Sequence, residues 1–536
     1  MIGSPLRRTK LALTVALTLY AGMAVVGPAA AQELPWVGKG RVRLDFAPSF
    51  HGWDSRFGYR LEGSGVAVDE VEPLGLDLTA NPLGNEVLPY LTSLEKALGE
   101  ALQQNDYRVR LGASQAIVDQ SRLVFPLRLE LGITDWLTVG AMVPFIRTRT
   151  EGSFALDADS LSADVGLVPA TGSFLSTFGA VLDDAEASNP GDPDVLQARA
   201  YLNALTAAYG HDSVFPVAGS VAGGQLQARL DHLREMLEAD GITGIPETVP
   251  LATDYLDEEG FSSLLTSPAM GAYPLENWTN PWVMGDVEIT AAARVLHHGF
   301  TPDSLGDLPF LRFQLGVGGL VRLGTGTQGD PNRFLDLDPA DGQVDAEGSV
   351  FGLVELGSRL GGWAHLRYGI QQEGTVIRRI AGPTEILPPL SRLALVNRKR
   401  GNYMDLQVNP RFYFTPEITF GVRYHLWAKG EDQHTLPPTD PEAPTLRDNP
   451  PPEYLNYETR ETLQELGFSS TYSTLAANAR GESPLPLLVR FTYLFPVAGA
   501  GGQTPKSGRF EAGLSIYRTL WGPGKRTRPD PDPGSP

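Results

Sequence analysis

The feature that most constrains this chain is a strict two-residue alternation of apolar and polar side chains. From residue 418 to 427 the sequence reads ITFGVRYHLW, which places five large apolar residues on one side and Arg423 and His425 on the other. The same pattern recurs at 127–131, 311–318, 487–495 and 509–516. Because successive side chains of a strand point to opposite faces, each segment predicts a strand with one apolar and one polar face.

A water-soluble β-sandwich would also show alternation, so the length of the segments matters. Several sustain the pattern for about 9–13 residues, whereas globular strands usually stop near 5 or 6 and a tilted strand needs about 9–11 to cross a bilayer. Tryptophan is confined to segment ends and turns, as in the aromatic belts of membrane barrels. The eight are Trp36, Trp53, Trp136, Trp278, Trp282, Trp363, Trp427 and Trp521. The sequence therefore predicts an all-β, antiparallel transmembrane β-barrel.

The connections between segments alternate in length, which is the rule for such barrels. Short joins at 133–136, 297–308, 360–363 and 414–417 alternate with long ones at 150–281, 325–347, 381–401 and 430–467. The candidate strands lie near 41–50, 54–62, 107–118, 122–132, 136–148, 284–296, 310–323, 349–360, 363–378, 403–414, 417–429, 468–480, 485–497 and 508–521. If 107–132 is one strand and 54–62 is a loop, the count falls from fourteen to twelve. We predict twelve strands, with fourteen as the alternative.

Composition excludes several classes of function. The chain has 59 glycines, 43 prolines and no cysteine among 536 residues, so it has no disulfide, thiolate nucleophile or cysteine-ligated metal. Its formal charge of −20 disfavours a nucleic-acid partner, since binding phosphate needs a basic face.

The N-terminus has the pattern of a secretory signal peptide. Arg7, Arg8 and Lys10 precede an uncharged run at 11–26, and three alanines at 29–31 precede Gln32. An uncleaved membrane anchor is the alternative, but the run is shorter than the ~20 residues of a spanning helix. We predict a signal peptide at 1–31, Sec-type export to the bacterial outer membrane, a barrel over 32–521 and a disordered tail at 522–536.

An acidic insert interrupts the barrel at 151–281. It carries 20 acidic residues against three arginines. Helical spacing at 194–209 and 225–239, with Leu196, Tyr201 and Leu205 on the face of the first, predicts helices there, and a further helix is predicted at 86–103. We expect helical extracellular insertions at the barrel mouth, which pack as a lid, shape a ligand entrance or bind a partner.

Motifs for chemistry are sparse. The sequence GTGTQG at 324–329 matches a phosphate-binding pattern but follows a strand and enters a loop, so we interpret it as a hairpin end. The acidic loop that contains Asp336, Asp338, Asp341, Asp345 and Glu347 is interpreted as a solvated loop, because its spacing is not that of an EF-hand, with a weak loop-bound Ca²⁺ site as the alternative. We predict no enzymatic activity and no cofactor.

The polar faces of the strands supply the candidate lumen-lining residues. Charges inside an apolar-walled cylinder must pair with one another or contact water. They therefore form either a lattice of ion pairs that stiffens the wall or a polar conduit. The set comprises Arg128, Glu130, Arg294, Arg312, Gln314, Arg322, Glu355, Arg359, His365, Arg367, Gln407, Asn409, Arg411, Arg423, His425, Arg490, Arg509 and Glu511.

Residues 127–140, LRLELGITDWLTVG, are followed by Val143-Pro144-Phe145, and this hairpin resembles the first hairpin of the outer-membrane proteins named for the meta pathway of phenol degradation. Gly285-Asp286 after the insert and Leu323-Gly324-Thr325-Gly326 are similar to the same pattern. The resemblance covers 121–521 without the insert. It implies a barrel akin to fatty-acid and aromatic-hydrocarbon uptake channels, with apolar small molecules as substrates.

Three functions are compatible with these sequence features. The first is an outer-membrane channel for passive uptake of small, hydrophobic or aromatic molecules, surrounded by outer-membrane lipid and lipopolysaccharide. The second is a structural or surface-interaction barrel whose acidic insert binds a partner. The third is a barrel hydrolase, which requires a Ser and His pair on neighbouring strands at the membrane surface.

Overall fold

The described part of the chain forms a closed β-barrel of twelve antiparallel strands. The computed structural model describes residues 36–61, 67–159, 161–299, 310–335, 337–340, 342–437, 450–502 and 504–521. The barrel strands are β1 (Arg41–Phe46 and, after a short break, Ser49–Trp53), β2 (Ala113–Gly132), β3 (Leu137–Asp157), β4 (Glu288–His298), β5 (Leu311–Arg322), β6 (Asp345–Leu356), β7 (Leu360–Gln371), β8 (Tyr403–Tyr413), β9 (Ile418–Lys429), β10 (Glu461–Ser473), β11 (Leu487–Ala500) and β12 (Gly508–Thr519).

Strand β1 closes the barrel by pairing with β12 on one side and with β2 on the other. Arg41 lies opposite Thr519, and Val42 lies opposite Leu131. This closure confirms the prediction of twelve strands over fourteen. Residues 113–132 form one long strand, as the smaller count requires, and the segment predicted at 54–62 forms a strand, Ser55–Leu61, outside the barrel wall.

The alternation in sequence is an alternation between the outside and the inside of the barrel. In β5 the side chains of Leu315 and Val317 are exposed on the outer surface, whereas Arg312 and Gln314 are buried inside. Phe420 on β9 follows the same rule. Apolar side chains in this position stabilise the protein only if the outer surface faces a non-aqueous medium, because their exposure to water is unfavourable.

The two ends of the barrel differ. Strands β2 and β3, β6 and β7, and β8 and β9 are joined by connections of three or four residues at one end, which we call the turn end. The insert and the connections from β5 to β6, β7 to β8 and β9 to β10 lie at the opposite end, which we call the loop end. Short and long connections therefore alternate as predicted up to β10, although the short join predicted at 360–363 lies at 357–359, because β7 begins at Leu360. After β10 the alternation ends, since 13 residues join β10 to β11 and seven join β11 to β12.

Small sheets lie outside the barrel wall. Their strands are short and come from the connections between barrel strands. Two further short pieces from the β3–β4 connection pair with β3 in the barrel sheet itself. One sheet joins Thr504–Pro505, Ser55–Leu61 and Ala67–Pro73; a second joins Glu373–Arg379, Leu393–Lys399 and Gln433–Thr435; a third joins Val165–Leu167 and Val214–Pro216; Trp278–Thr279 and Val283–Met284 pair with β3.

Five helices at the loop end form a separate hydrophobic core, and we call this body the helical cap. They are α1 (Thr92–Leu102), α2 (Phe174–Ser188), α3 (Pro193–Tyr209), α4 (Val221–Ala239) and α5 (Glu258–Thr266). Helix α1 precedes β2 and the other four belong to the insert, so the core joins segments from both sides of the β2–β3 hairpin. A further short helix, α6 (Leu475–Ala479), connects β10 to β11.

The helix boundaries differ from the predicted ones for local reasons. Helix α1 begins six residues later than predicted, because Pro89 lacks an N–H and sits in a short 3₁₀ turn at 89–91. Helix α4 begins earlier than predicted, because the Ser220 hydroxyl accepts the Gly223 N–H as a cap. Helices α2 and α5 were not predicted. Leu196 was expected on the apolar face of α3 and is instead 53% exposed.

The predicted signal peptide at 1–31, the predicted mature start at Gln32 and the predicted tail at 522–536 lie outside the described residues. No helix in the described ranges combines the length and the apolar character that membrane crossing by a helix requires.

We predict that Leu205→Ala loosens the helical cap. Leu205 is fully buried in the cap core, and truncating a buried leucine costs about 2–5 kcal/mol of the free energy of unfolding. Limited proteolysis should cut the insert faster in this variant, while the heat-dependent gel shift of the barrel stays unchanged. Leu196→Ala, on the same helix but exposed, is the matched control. Equal proteolysis of the two variants would contradict the assigned core.

Candidate conduit through the barrel

Seventeen of the eighteen predicted lumen-lining residues lie on the inward faces of barrel strands. The register places Arg128 and Glu130 of β2 inward beside Asp45 and Arg43 of β1. The others on inward faces are Arg294, Arg312, Gln314, Arg322, Glu355, His365, Arg367, Gln407, Asn409, Arg411, Arg423, His425, Arg490, Arg509 and Glu511.

One of the predicted residues lies elsewhere, so its assignment to the lumen was wrong. Arg359 is exposed in the turn between β6 and β7, because β6 ends three residues earlier at Leu356. Arg294 lies opposite Gly316 on the inward face of β4, near the turn end and just before a bulge shifts the register. Its guanidinium lies 4.0 Å from the ring centre of Trp36 and donates to the backbone oxygen of Asp135.

A chain of ion pairs runs along the inward faces of β7 to β12. Arg367 Nη2 lies 2.6 Å from Asp405 Oδ2, and the same carboxylate oxygen lies 3.0 Å from His425 Nε2. His425 Nδ1 in turn lies 2.5 Å from Glu465 Oε2, whose other neighbour is Arg509 Nη2 at 2.9 Å. The imidazole of β9 is thus held between two carboxylates, one on each of the flanking strands β8 and β10.

The series of ion pairs continues across the lumen. Arg509 Nε lies 3.3 Å from Glu511, and Arg423 of β9 reaches the same carboxylate of β12 at 2.8 Å. Arg423 also donates to Gln407 Oε1 at 2.6 Å. Because β9 and β12 are not neighbours in the wall, this contact ties two separated parts of the barrel together.

Two further pairs are deeply buried nearer the turn end. Arg43 pairs with Glu130 between β1 and β2. Arg312 Nη2 lies 2.6 Å from Glu355 Oε2, and both side chains are at most 4% exposed. The Tyr413 hydroxyl donates to Glu355 Oε1 at 3.1 Å. These contacts have the geometry of a lattice of ion pairs that stiffens the wall, which is one of the two interpretations that the sequence left open.

The inward face of the β2–β3 hairpin is different from this charged wall. It carries an apolar strip that consists of Val124 and Pro126 on β2 and Met142, Pro144 and Ile146 on β3. The interior is therefore amphipathic, since ion pairs crowd the β7–β12 side and apolar side chains line the β2–β3 side.

The described residues enclose three cavities inside the barrel that matter for passage. An outer chamber of about 650 Å³ at the loop end is bordered by four residues of the apolar strip, by basic side chains that include Arg122, Arg398 and Lys429, and by the acidic side chains Asp286, Glu288, Asp338, Asp432 and Glu461. His434 also borders it, and burial lowers the pKa of this imidazole, so that the ring is neutral at neutral pH. An inner chamber of about 170 Å³ lies deeper, and a side cavity of about 80 Å³ lies between β2 and β7.

The inner chamber has a basic and aromatic lining. Arg43, Arg128, Arg423 and Arg490 contribute guanidinium groups against the carboxylates of Asp45 and Glu511. The rings of Phe351 and Trp363 also line it. Trp363 was expected at a membrane interface but faces inward, where its ring centre lies 5.8 Å from Arg411 and 5.7 Å from Arg423.

Several interior residues were not in the predicted set, although a signal for most exists. Arg43 and Asp45 alternate with apolar neighbours in RVRLDF, which is the same period-two pattern. Asp405 alternates with apolar neighbours on β8 in the same way. Glu347 of β6 accepts a hydrogen bond from the Tyr403 hydroxyl. Glu465 was missed because β10 was predicted to begin at residue 468, whereas it begins at Glu461.

The predicted loop motifs do not converge on a ligand. Of the acidic loop, Asp338 pairs with Arg378, Asp345 with Arg322 at 2.8 Å, and Glu347 accepts the Tyr403 hydroxyl at 2.7 Å. Asp336 and Asp341 lie outside the described residues. The three described acids therefore have separate partners rather than a shared Ca²⁺ geometry. The glycine motif at 324–329 follows β5 and enters a loop, as interpreted from the sequence.

Comparison with known proteins gives structural similarities at low sequence identity. No family model and no curated protein matches the chain. An outer membrane channel from Pseudomonas putida F1 is 9% identical with a TM-score of 0.42, over 91% of this chain and 99% of that one. The Pseudomonas putida toluene transporter TodX is 10% identical with a TM-score of 0.22, over 90% and 89%. The translocator domain of the autotransporter NalP from Neisseria meningitidis is 6% identical with a TM-score of 0.28, over 90% and 88%. Identities this low do not place the chain in a family.

We predict that Glu355→Ala destabilises the barrel by about 3–5 kcal/mol, because it leaves the buried guanidinium of Arg312 without its carboxylate. Urea unfolding from lipid vesicles measures this change. The double variant Arg312→Met/Glu355→Leu should recover most of the loss, since neither member of this pair then remains as an unpaired buried charge. Glu482→Gln, which alters an exposed ion pair, is the control and should leave the unfolding midpoint unchanged. A wild-type midpoint for Glu355→Ala would show that this pair does not hold the wall.

Proposed function

We propose that the protein is an outer-membrane channel that admits small molecules with an apolar or aromatic body by passive diffusion. The observation that carries the proposal is the presence of two chambers with apolar or aromatic lining inside a closed barrel. The outer chamber touches Val124, Met142, Pro144 and Ile146, and the inner chamber presents Phe351 and Trp363. An apolar solute is thus offered apolar contacts from the loop end to the interior.

The outer surface supports a location in a membrane. Large apolar side chains of several strands are exposed there, among them Val354, Phe468 and Phe491. In a closed barrel every wall strand is paired on both sides, which meets the requirement that hydrocarbon imposes on backbone N–H and C=O groups. Barrels of this type belong to the bacterial outer membrane, so the proposal includes export and a lipid and lipopolysaccharide surround.

The helical cap belongs to the proposal as a shield over the loop end. Most of its core is built from its own helices, together with Ala116 of β2. Burial raises the pKa of Glu95, which accepts hydrogen bonds from Asn85 and from the Val109 N–H. A body packed in this way shields the mouth and is attached to the wall through the β2–β3 hairpin.

A hydrolase is less well supported. The described residues contain a close Ser–His pair, His211 Nδ1 and Ser213 Oγ at 2.6 Å, but it lies in the segment between α3 and α4. Ser213 is buried, and the other imidazole nitrogen contacts the backbone oxygen of Tyr90. This pair is therefore a packing feature of the cap and not a nucleophile presented at a membrane surface.

The test is reconstitution of the purified protein. In planar bilayers it should give discrete ionic currents, and in liposomes it should speed the entry of a small aromatic solute above the rate of empty liposomes. Heat-denatured protein is the control. Absence of both currents and accelerated entry in correctly folded protein would overturn the proposal.

We predict that Trp363→Ala increases the single-channel conductance, because it removes the largest side chain that lines the inner chamber. Trp136→Ala is the matched control, since Trp136 is 53% exposed in the turn between β2 and β3 and should not alter the current. An unchanged conductance in Trp363→Ala would mean that ions do not pass through the inner chamber.

A further inference from the structure

We infer that the favoured substrate is a single-ring aromatic carboxylate, bound in the inner chamber by Arg128 and His365. This inference rests on the proposed channel function and narrows its substrate class. It follows from two donor groups that have no carboxylate partner among the described residues, from aromatic side chains beside them, and from the apolar strip that leads to Arg128.

Arg128 differs from the paired arginines of the interior. Arg312, Arg367 and Arg509 each lie within 3 Å of a carboxylate oxygen. The hydrogen bond found for the Arg128 guanidinium within the described ranges joins Nη2 to Met142 Sδ at 3.5 Å, a weak acceptor. A guanidinium with free N–H groups matches the two oxygens of a carboxylate and binds it more strongly than a neutral acceptor.

His365 supplies the second donor. Its Nε2 is buried and has no hydrogen-bonding partner among the described residues. His365 lines both the inner chamber and the side cavity, and so does Arg128. The two side chains therefore face the same open space, and the tautomer with hydrogen on Nε2 can donate to an oxygen held by Arg128. A buried donor without a partner costs free energy, which a bound carboxylate would recover.

The inner chamber fits one aromatic ring beside these donors. Its volume of about 170 Å³ is close to that of an engineered cavity of about 150 Å³ in another protein that binds benzene. Phe351 and Trp363 line it, and the Phe351 ring stands edge-on to His365 at 5.8 Å. Gly316 makes room for Phe351, because a Cβ at that position would come within 2.3 Å of the ring. The rings offer the edge-to-face and stacked contacts that aromatic solutes favour.

The approach to Arg128 also suits an amphipathic anion. Met142 borders the outer chamber, and its sulfur contacts Arg128, which borders the inner one. The apolar strip therefore ends at the free guanidinium. A ring can follow the strip while its carboxylate passes Arg122 of the outer chamber. Lys429 is instead paired with Asp432 at 2.8 Å and with Glu461 at 3.5 Å, which border the same chamber.

The experiment measures uptake of three one-ring solutes into proteoliposomes at neutral pH, with empty liposomes subtracted. Benzoate is the anion, benzamide the neutral analogue and benzylammonium the cation. We expect benzoate uptake to exceed the other two below saturation. Arg128→Gln should lower benzoate uptake about tenfold, the effect of losing one charge-assisted hydrogen-bonded contact, and leave benzamide uptake unchanged.

Arg359→Gln is the matched control, because Arg359 is an exposed arginine of the same barrel and should keep the wild-type preference. The heat-dependent gel shift establishes that each variant is folded. His365→Phe should also reduce the preference for benzoate over benzamide, and it provides a second variant should Arg128→Gln fail to fold.

The outcomes separate the two proposals. If the wild type takes up none of the solutes, the channel function fails. If it takes up benzamide or benzylammonium as fast as benzoate, or if both folded variants keep the wild-type ratio of benzoate to benzamide uptake, the channel stands and the carboxylate site is overturned.

Discussion

Pairing of β1 with β12 is the constraint on which the rest of this structure depends. An open edge would leave a row of N–H and C=O groups in hydrocarbon, and each would cost several kcal/mol. Strand β1 interrupts its own ladder between Phe46 and Ser49, where Pro48 has no N–H to offer. The Pro48 oxygen nevertheless accepts the Ala512 N–H at 3.0 Å, so β12 still bonds to the chain across the break.

Closure also dictates the content of the lumen. Once the apolar faces point outward, every polar face of twelve strands points into one narrow cylinder, and its charges must pair or contact water. The charged residues of β7 to β12 pair with one another, as in Asp405–His425–Glu465, and so fill much of the interior. The outer chamber lies against the β2–β3 hairpin, where apolar side chains replace charges, whereas the inner chamber is lined mainly by residues of β6 to β12. The stiffening lattice and the conduit, alternatives in the sequence, therefore share the inner part of the same lumen.

The sequence predicted what depends on the two-residue period and missed what depends on strand ends or on contacts between distant strands. Alternation assigned Arg128, Arg423 and Glu511 to the inside because the period is local. It placed Arg359 wrongly, because an error of a few residues in the predicted end of a strand moves a side chain from the wall to a turn. The contact between Arg423 and Glu511 joins strands three apart, and it depends on barrel shear and diameter, which no single segment encodes. Helices α2 and α5 escaped prediction because their apolar residues are buried against other cap segments.

The β2–β3 hairpin links the cap to the conduit. Its strands are 20 and 21 residues long, against 11 to 14 for β4 to β12, so they extend beyond the wall at the loop end. There Ala116 of β2 enters the cap core, and Phe154 of β3 stacks on Phe261 of α5 at 4.6 Å. Toward the turn end the same two strands carry the apolar strip and Arg128. Because one hairpin contacts both, displacement of the cap acts on the part of the wall that borders the outer chamber. Removing the whole insert would cut β3 inside its paired segment, so the cap is better probed by single substitutions in its core than by deletion.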